Sequence, residues 1–163
     1  STRPILFVRD IPASQYKYAV VEVNLTATSP HVIAAVRRLA PTAEIHLVHV
    51  YSGEDVAYLD ATPSIESRAA RLRRVHAFLD LLPATRTGSS GDGIRSSVTL
   101  ARGPALDALA STIAQRRADL AAIGLRPVDT CDLRQALDLN RQSLGARPCD
   151  VLVVPGPALS ELS

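Results

Sequence analysis

The apolar positions of this chain fall into short continuous runs separated by stretches of helical spacing. The runs "KYAVVEVN" (residues 17–24) and "AEIHLVHVY" (residues 43–51) are typical of buried strands. Between them the apolar residues recur every three or four positions, as in an amphipathic helix: Val32, Ile33, Val36 and Leu39. Ser29 is a suitable N-cap for this helix and Pro30 suits its first turn. The pattern predicts a strand, a helix and a second strand.

The same alternation continues to the end of the chain. Further helices are predicted over residues 63–82, 103–118 and 133–144, and further strands over residues 97–102, 119–124 and 150–155. Strands that alternate with helices favour a parallel sheet covered on both faces, and right-handed crossovers make it doubly wound. We therefore predict a Rossmann-like α/β domain with a five-stranded, mainly parallel sheet.

An additional apolar run, "ILFV" at residues 5–8, precedes this pattern and resembles the last strand, "DVLVVP". We divide the chain into an N-terminal strand with its linker (residues 1–15), a domain (residues 16–157) and a tail (residues 158–163). The first segment is either the end of a preceding domain of the same kind or a strand that adds to the sheet edge. In the second case it docks in its own subunit or in a partner.

Composition excludes several classes of protein. The net charge of +2 and the lack of aromatic residues between the basic ones argue against nucleic-acid binding. No apolar run approaches the roughly 18 residues that span a bilayer. The two cysteines, Cys131 and Cys149, lack C-x-x-C spacing, which fits a reducing cytoplasm.

No group of residues has the pattern of a catalytic or metal site. There is no G-x-S-x-G turn, and His46 and His49 are three residues apart on a predicted strand, so they point to opposite faces. Asp129, Asp132 and Asp138 alternate with arginines, which favours surface ion pairs over Mg²⁺. We predict no enzyme and no metal. Ligands of such sheets bind beyond the carboxyl ends of the strands, so the loops after those ends are the candidate sites.

The order of these segments resembles the universal stress protein family over roughly residues 16–155. The matching elements are the turn "NLTATS" (Asn24–Ser29) in place of an Asp-Gly-Ser turn, "HLVHV" (His46–Val50), the pair Gly103–Pro104, "ADLAAIG" (Ala118–Gly124) and the ending "PCDVLVVP" (Pro148–Pro155). The resemblance implies the fold predicted above.

Members that bind ATP carry a G-x-x-G motif followed, nine residues later, by G-[S/T]. The resemblance places the first glycine at Gly124 and the other positions at Pro127, Leu137 and Asp138. Proline lacks the N–H that would face a phosphate, and a carboxylate repels a triphosphate. The resemblance therefore implies a degenerate phosphate-binding motif.

The rest of the family's nucleotide cleft is partly retained. The resemblance places Asn24 at the ribose-binding aspartate, Thr26 at a serine hydroxyl and Val50 where backbone groups hold adenine. Together with Gly124, these residues are the expected cofactor-binding positions of a residual cleft. We expect no cofactor, and ATP or AMP is the alternative.

The resemblance also implies association. Family members commonly dimerise through the last strand, here Val151, Leu152, Val153 and Val154. The expected function is a stress-response regulatory module that acts as a homodimer, or as part of a tandem pair, on an unknown protein partner. The alternatives are an ATP- or AMP-binding switch or slow ATPase, and a regulatory domain of a larger transporter or kinase.

Overall fold

A computed structural model describes residues 3–8, 15–51, 65–80, 96–125 and 149–156. The predicted helix over residues 133–144 and the positions Pro127, Leu137 and Asp138 lie outside the described residues. The described elements, in chain order, are β1 (Ile5–Phe7), β2 (Tyr18–Glu22), α1 (Thr28–Leu39), β3 (Glu44–Tyr51), α2 (Ile65–Asp80), β4 (Ser96–Arg102), α3 (Ala105–Arg116), β5 (Leu120–Leu125) and β6 (Asp150–Pro155).

The strands form one sheet in the order β1-β6-β5-β2-β3-β4. Neighbouring strands from β6 to β4 run parallel, and β1 is antiparallel to β6. The chain leaves β2 toward β3 on one side and later returns to β5 on the other. The predicted doubly wound sheet, with five parallel strands and an extra N-terminal strand, is confirmed. The switch in strand order lies between β2 and β5.

Two cores cover the two faces of the sheet. The first core joins alternate residues of the central strands, such as Val21 and Leu47, to Val32 of α1. The second core joins the intervening residues, such as Val20 and Val48, to Leu109 of α3. Both faces of the central strands are buried, which is why these segments read as continuous apolar runs. None of the described helices combines the length and apolar character needed to cross a membrane.

The N-terminal strand docks in its own subunit. Ile5, Leu6 and Phe7 pair with Val153, Leu152 and Val151 of β6. Leu6 packs against the first core and Phe7 against the second, because successive strand residues point to opposite faces. β1 therefore forms the edge of the sheet, and β6 lies one strand inside it.

Candidate functional site

The crevice at the switch in strand order is the position where this type of sheet binds ligands. It is bounded by the turn that follows β2, by the end of β5, and by the first residues of α1. We call it the switch-point crevice and define it by Asn24, Thr26, Thr28, Gly124 and Gly156. Three of the four positions expected in a residual cleft belong to it.

The side-chain oxygen of Asn24 organises the turn after β2. Its Oδ1 accepts hydrogen bonds from the backbone N–H of Thr26 at 3.1 Å, from Thr26 Oγ1 at 2.6 Å and from Ser29 Oγ at 2.7 Å. An amide carbonyl oxygen has two lone pairs. Three donors from the chain itself leave this oxygen without capacity for a ligand hydroxyl.

Both hydroxyls of the turn also accept a bond. Ser29 Oγ accepts from the backbone N–H of Asn24 at 3.1 Å, and Thr26 Oγ1 accepts from the N–H of Thr28 at 3.3 Å. The expected N-cap role of Ser29 is wrong: α1 begins at Thr28, and its N-cap residue is Ala27, whose side chain has no hydrogen-bonding group. The reason is that Asn24 competes for the Ser29 hydroxyl and draws it back toward the end of β2.

Leu25 adopts a left-handed conformation within this turn, with a φ of 58°. This region is unfavourable for a leucine by about 1–2 kcal/mol, and glycine enters it without that cost. Leu25 stands where the Asp-Gly-Ser turn of the resemblance has its glycine, and its half-buried side chain packs against the first core. Packing thus offsets the backbone strain.

Thr28 fills the space between the ends of β5 and β6. A Cβ added to Gly124 would lie 2.5 Å from Thr28 Cγ2, and one added to Gly156 would lie 2.6 Å from Thr28 Oγ1. Both distances are below van der Waals contact, so both positions require glycine while Thr28 keeps its rotamer. Gly124 belongs to β5, which continues to Leu125, one residue beyond the prediction. Close packing of α1 is therefore sufficient reason for the glycine.

The resemblance assigns Val50 a backbone contact, and its side chain lies on the face of the sheet opposite Gly124. Its side chain packs against the second core, whereas Gly124 faces Thr28 and Val32 on the side of the first core. The neighbouring His49 donates from Nδ1 to the carbonyl oxygen of Val23 at 2.7 Å, which ties the ends of β3 and β2 together. The structure brings Asn24, Thr26 and Gly124 to the start of α1 and leaves the Val50 side chain on the opposite face.

A second buried polar group lies at the amino ends of the strands. Tyr16 Oη donates to Asp150 Oδ2 at 2.6 Å, and both residues are buried. Burial, followed by the bond to Asp150, raises the pKa of the Tyr16 phenol well above its usual value. The carboxylate of Asp119 accepts the backbone N–H groups of Lys17 and Tyr18. These contacts fix the entry of the chain into β2.

His46 is buried on the face of the second core, away from the carboxyl ends. Its Nδ1 contacts Ser97 Oγ, and its Nε2 lies 2.8 Å from Thr99 Oγ1. Burial lowers the pKa of the imidazole, Arg116 lowers it further, and Glu44 opposes them. Both nitrogens are engaged with β4, so this histidine holds the β3–β4 pair together. Among the described residues, no three His, Cys, Asp or Glu side chains cluster as metal ligands would.

Sequence reasoning did not identify Thr28, Gly156 or Leu25 as residues of the crevice. A signal was present for Leu25, because it occupies the glycine position of the family turn. The glycine that follows the last strand, in "VVPG", was a weaker signal for Gly156. Nothing in the sequence pointed to Thr28, since its role depends on how α1 packs across β5 and β6.

No protein-family model and no curated protein matches this sequence. Solved structures do match. A universal stress protein in complex with cAMP is 20% identical with a TM-score of 0.57, and the match covers 88% of this chain and 100% of that one. A universal stress protein from Burkholderia pseudomallei is 20% identical with a TM-score of 0.52, with 90% of this chain and 100% of that one covered.

A universal stress protein from Archaeoglobus fulgidus DSM 4304 is 15% identical with a TM-score of 0.55. That match covers 94% of this chain and 50% of the other, so this chain spans half the length of that neighbour. The similarity in each case is one of fold. The chain is therefore a domain with the fold of the universal stress proteins.

Proposed function

We propose that this chain is a stress-response module of the universal stress type that acts by associating with other protein chains and does not bind ATP strongly. The observation that carries the proposal is the saturated oxygen of Asn24. It stands where the resemblance expects a ribose acceptor, and it already receives three hydrogen bonds from Thr26 and Ser29.

An aspartate in place of Asn24 would keep the turn and add an acceptor. One carboxylate oxygen could receive the same donors, and the second would remain for a ligand hydroxyl. The Asn24 amide instead offers Nδ2 donors in place of that second acceptor, so a ribose hydroxyl could bind it only by accepting a hydrogen bond. The asparagine therefore supports loss of nucleoside affinity.

The phosphate side of the cleft supports the same conclusion. Gly124 is explained by its contact with Thr28, so its presence does not require a phosphate nearby. The remaining motif positions in the sequence are a proline, a leucine and an aspartate: Pro127, Leu137 and Asp138.

The association half of the proposal rests on the last strand. We propose homodimerisation, or pairing within a tandem protein, through the β6 side of the sheet at Val151–Val154. Two features support it: β6 lies next to the sheet edge, and a fold neighbour is twice the length of this chain. The resemblance implies the same surface.

Titration calorimetry with ATP, ADP, AMP and cAMP in the presence of Mg²⁺ tests the proposal. cAMP is included because one fold neighbour is a complex with it. The wild-type chain should bind each of them more weakly than about 1 mM, a free energy near −4 kcal/mol. A micromolar Kd in the wild type would contradict the proposal and favour the nucleotide switch.

Two variants test the reason for weak binding. Asn24→Asp should bind AMP about tenfold more tightly than the wild type, because a hydrogen bond to a charged acceptor contributes about 1.5–3 kcal/mol. Gln115→Glu makes the same amide-to-carboxylate change at an exposed position of α3 and should leave the affinity unchanged. Equal affinities for all three proteins would refute the role assigned to the Asn24 oxygen.

A further inference from the structure

β1 covers the side of β6 that would otherwise be the edge of the parallel sheet. It pairs antiparallel with Val151–Val153 over three residues. Two of its side chains reach the cores, Leu6 the first and Phe7 the second. The strand therefore occupies the backbone hydrogen-bonding groups of β6 and part of the apolar surface beside them.

Without β1, β6 would present an open edge. Val151, Leu152 and Val153 are at most 4% exposed. An apolar strand with unpaired N–H and C=O groups on one side is a template for another strand, in particular the same strand of a second copy. This is the surface through which the proposed function expects the chain to associate.

The residues on either side of the connection between β1 and β2 both contact the start of β6. Phe7, the last residue of β1, pairs with Val151. Tyr16 donates its hydroxyl hydrogen to Asp150 Oδ2. Both ends of the connection between Phe7 and Tyr16 thus lie at the start of β6. A short tether of this kind gives the attached strand an effective concentration in the millimolar range.

We infer that β1 is an intramolecular edge cap: it occupies the strand-addition site of β6 and excludes a second copy from it until β1 is displaced. The inference rests on the proposed association through β6 and states what controls it. At micromolar protein concentration a second copy competes against a tethered strand about a hundred- to a thousandfold more concentrated. The capped chain is therefore a monomer, and the uncapped chain pairs through β6.

Light scattering after size exclusion tests the cap on the full chain. The wild type should have the monomer mass of 17.4 kDa. Leu6→Asp places a carboxylate against the first core, so β1 should undock and the mass should double. Ile5→Asp is the matched control, because it adds the same charge to the same strand at a side chain that is 48% exposed. It should stay monomeric.

A truncated chain that lacks residues 1–8 separates the effect of the cap from that of a poorly folded variant. It should be a dimer with native circular dichroism, and a synthetic peptide of residues 1–10 should return it to a monomer bound to peptide. The inference is overturned if the wild type and Leu6→Asp have the same mass, provided both are folded, or if the folded truncated chain does not change mass.

The pattern of failure identifies which proposal is wrong. If the wild type and the truncated chain are both dimers, association is supported and the edge cap is refuted. Both proteins as monomers, with the peptide binding the truncated chain at micromolar Kd, identify β6 as a strand site and refute homodimerisation. If Leu6→Asp and the truncated chain each form a dimer while the wild type is a monomer, both proposals are supported.

Discussion

Replacing Gly124 with alanine tests whether this residue serves packing at the switch-point crevice. Its added methyl would lie 2.5 Å from Thr28 Cγ2 and 3.1 Å from Val32 Cγ2. Thr28 is also confined on its other side, because its Oγ1 lies only 2.6 Å from the position of a Cβ added to Gly156. The substitution should therefore overpack the junction of α1, β5 and β6.

The magnitude follows from two opposing effects. Overpacking a core typically costs about 1–3 kcal/mol. Replacing glycine by alanine also restricts the unfolded chain, which stabilises the protein by about 0.4–1 kcal/mol. Gly124 has no positive φ, so backbone strain does not enter. The free energy of unfolding should fall by about 0.5–2 kcal/mol.

Urea unfolding of a double-mutant cycle measures the contact. Thr28→Ser removes Cγ2, which makes the closest approach, and keeps the hydroxyl that faces Gly156. In the Thr28→Ser background, Gly124→Ala should lower the free energy of unfolding by about 1 kcal/mol less than in the wild type. Gly103→Ala is the control: Gly103 has a φ of 120° with no atom within 4 Å of its added methyl. It should destabilise through strain alone and show no coupling to Thr28. Additivity between Gly124 and Thr28 would refute the packing argument.

Three further predictions concern stability. Because the pKa of His46 is lowered in the folded chain, the unfolded chain binds a proton at this residue first as the pH falls. The free energy of unfolding, measured in urea, should therefore fall by up to about 1.4 kcal/mol per pH unit below about pH 6.5. His46→Gln should remove this dependence on pH. Arg117, the C-cap residue that follows α3, has a φ of 53°, so Arg117→Gly should stabilise the protein by about 0.5–1 kcal/mol in thermal unfolding. Arg116→Gly, at the last helical residue, should destabilise it. Tyr16→Phe should lower the free energy of unfolding in urea by about 1–3 kcal/mol. Absorbance titration of the wild type should find the Tyr16 phenol still protonated at about pH 10, because its pKa is raised. A normal phenol titration would contradict the buried bond to Asp150.

The order of strands and helices could be predicted because the central parallel strands are buried on both faces and therefore have to be apolar. β5, with "LAAIGL", and β6, with "DVLVVP", are buried along most of their lengths and read directly as strands. Element boundaries were less certain for a local reason. β5 ends at Leu125 and not at Gly124, because Leu125 still pairs with Pro155 and its carbonyl accepts the N–H of Gly156 at 2.8 Å.

The polar contacts were not predictable from local sequence. Tyr16 and Asp150 are 134 residues apart and meet only because β2 and β6 lie in one sheet. The motif Ser29–Pro30 has the preferences of a helix start, and these preferences describe an isolated helix. In the folded chain the acceptor at Asn24 lies close enough to take the serine hydroxyl, so a tertiary contact overrides a local one.

Within the described ranges, the switch-point crevice and the β6 edge are both closed by the chain itself, and either can open without the other. Opening the turn after β2 breaks three hydrogen bonds to Asn24 and releases Thr28 from its contacts with two glycines, about 3 kcal/mol for the bonds alone. Releasing β1 exposes the half-buried side chains of Leu6 and Phe7, about 2–3 kcal/mol, and also breaks its backbone hydrogen bonds to β6, about 1 kcal/mol each. It leaves the turn after β2 intact. The uncapped state is therefore a minor population, which a partner or a change of conditions can select. A response at the β6 edge can begin in this way without opening the switch-point crevice.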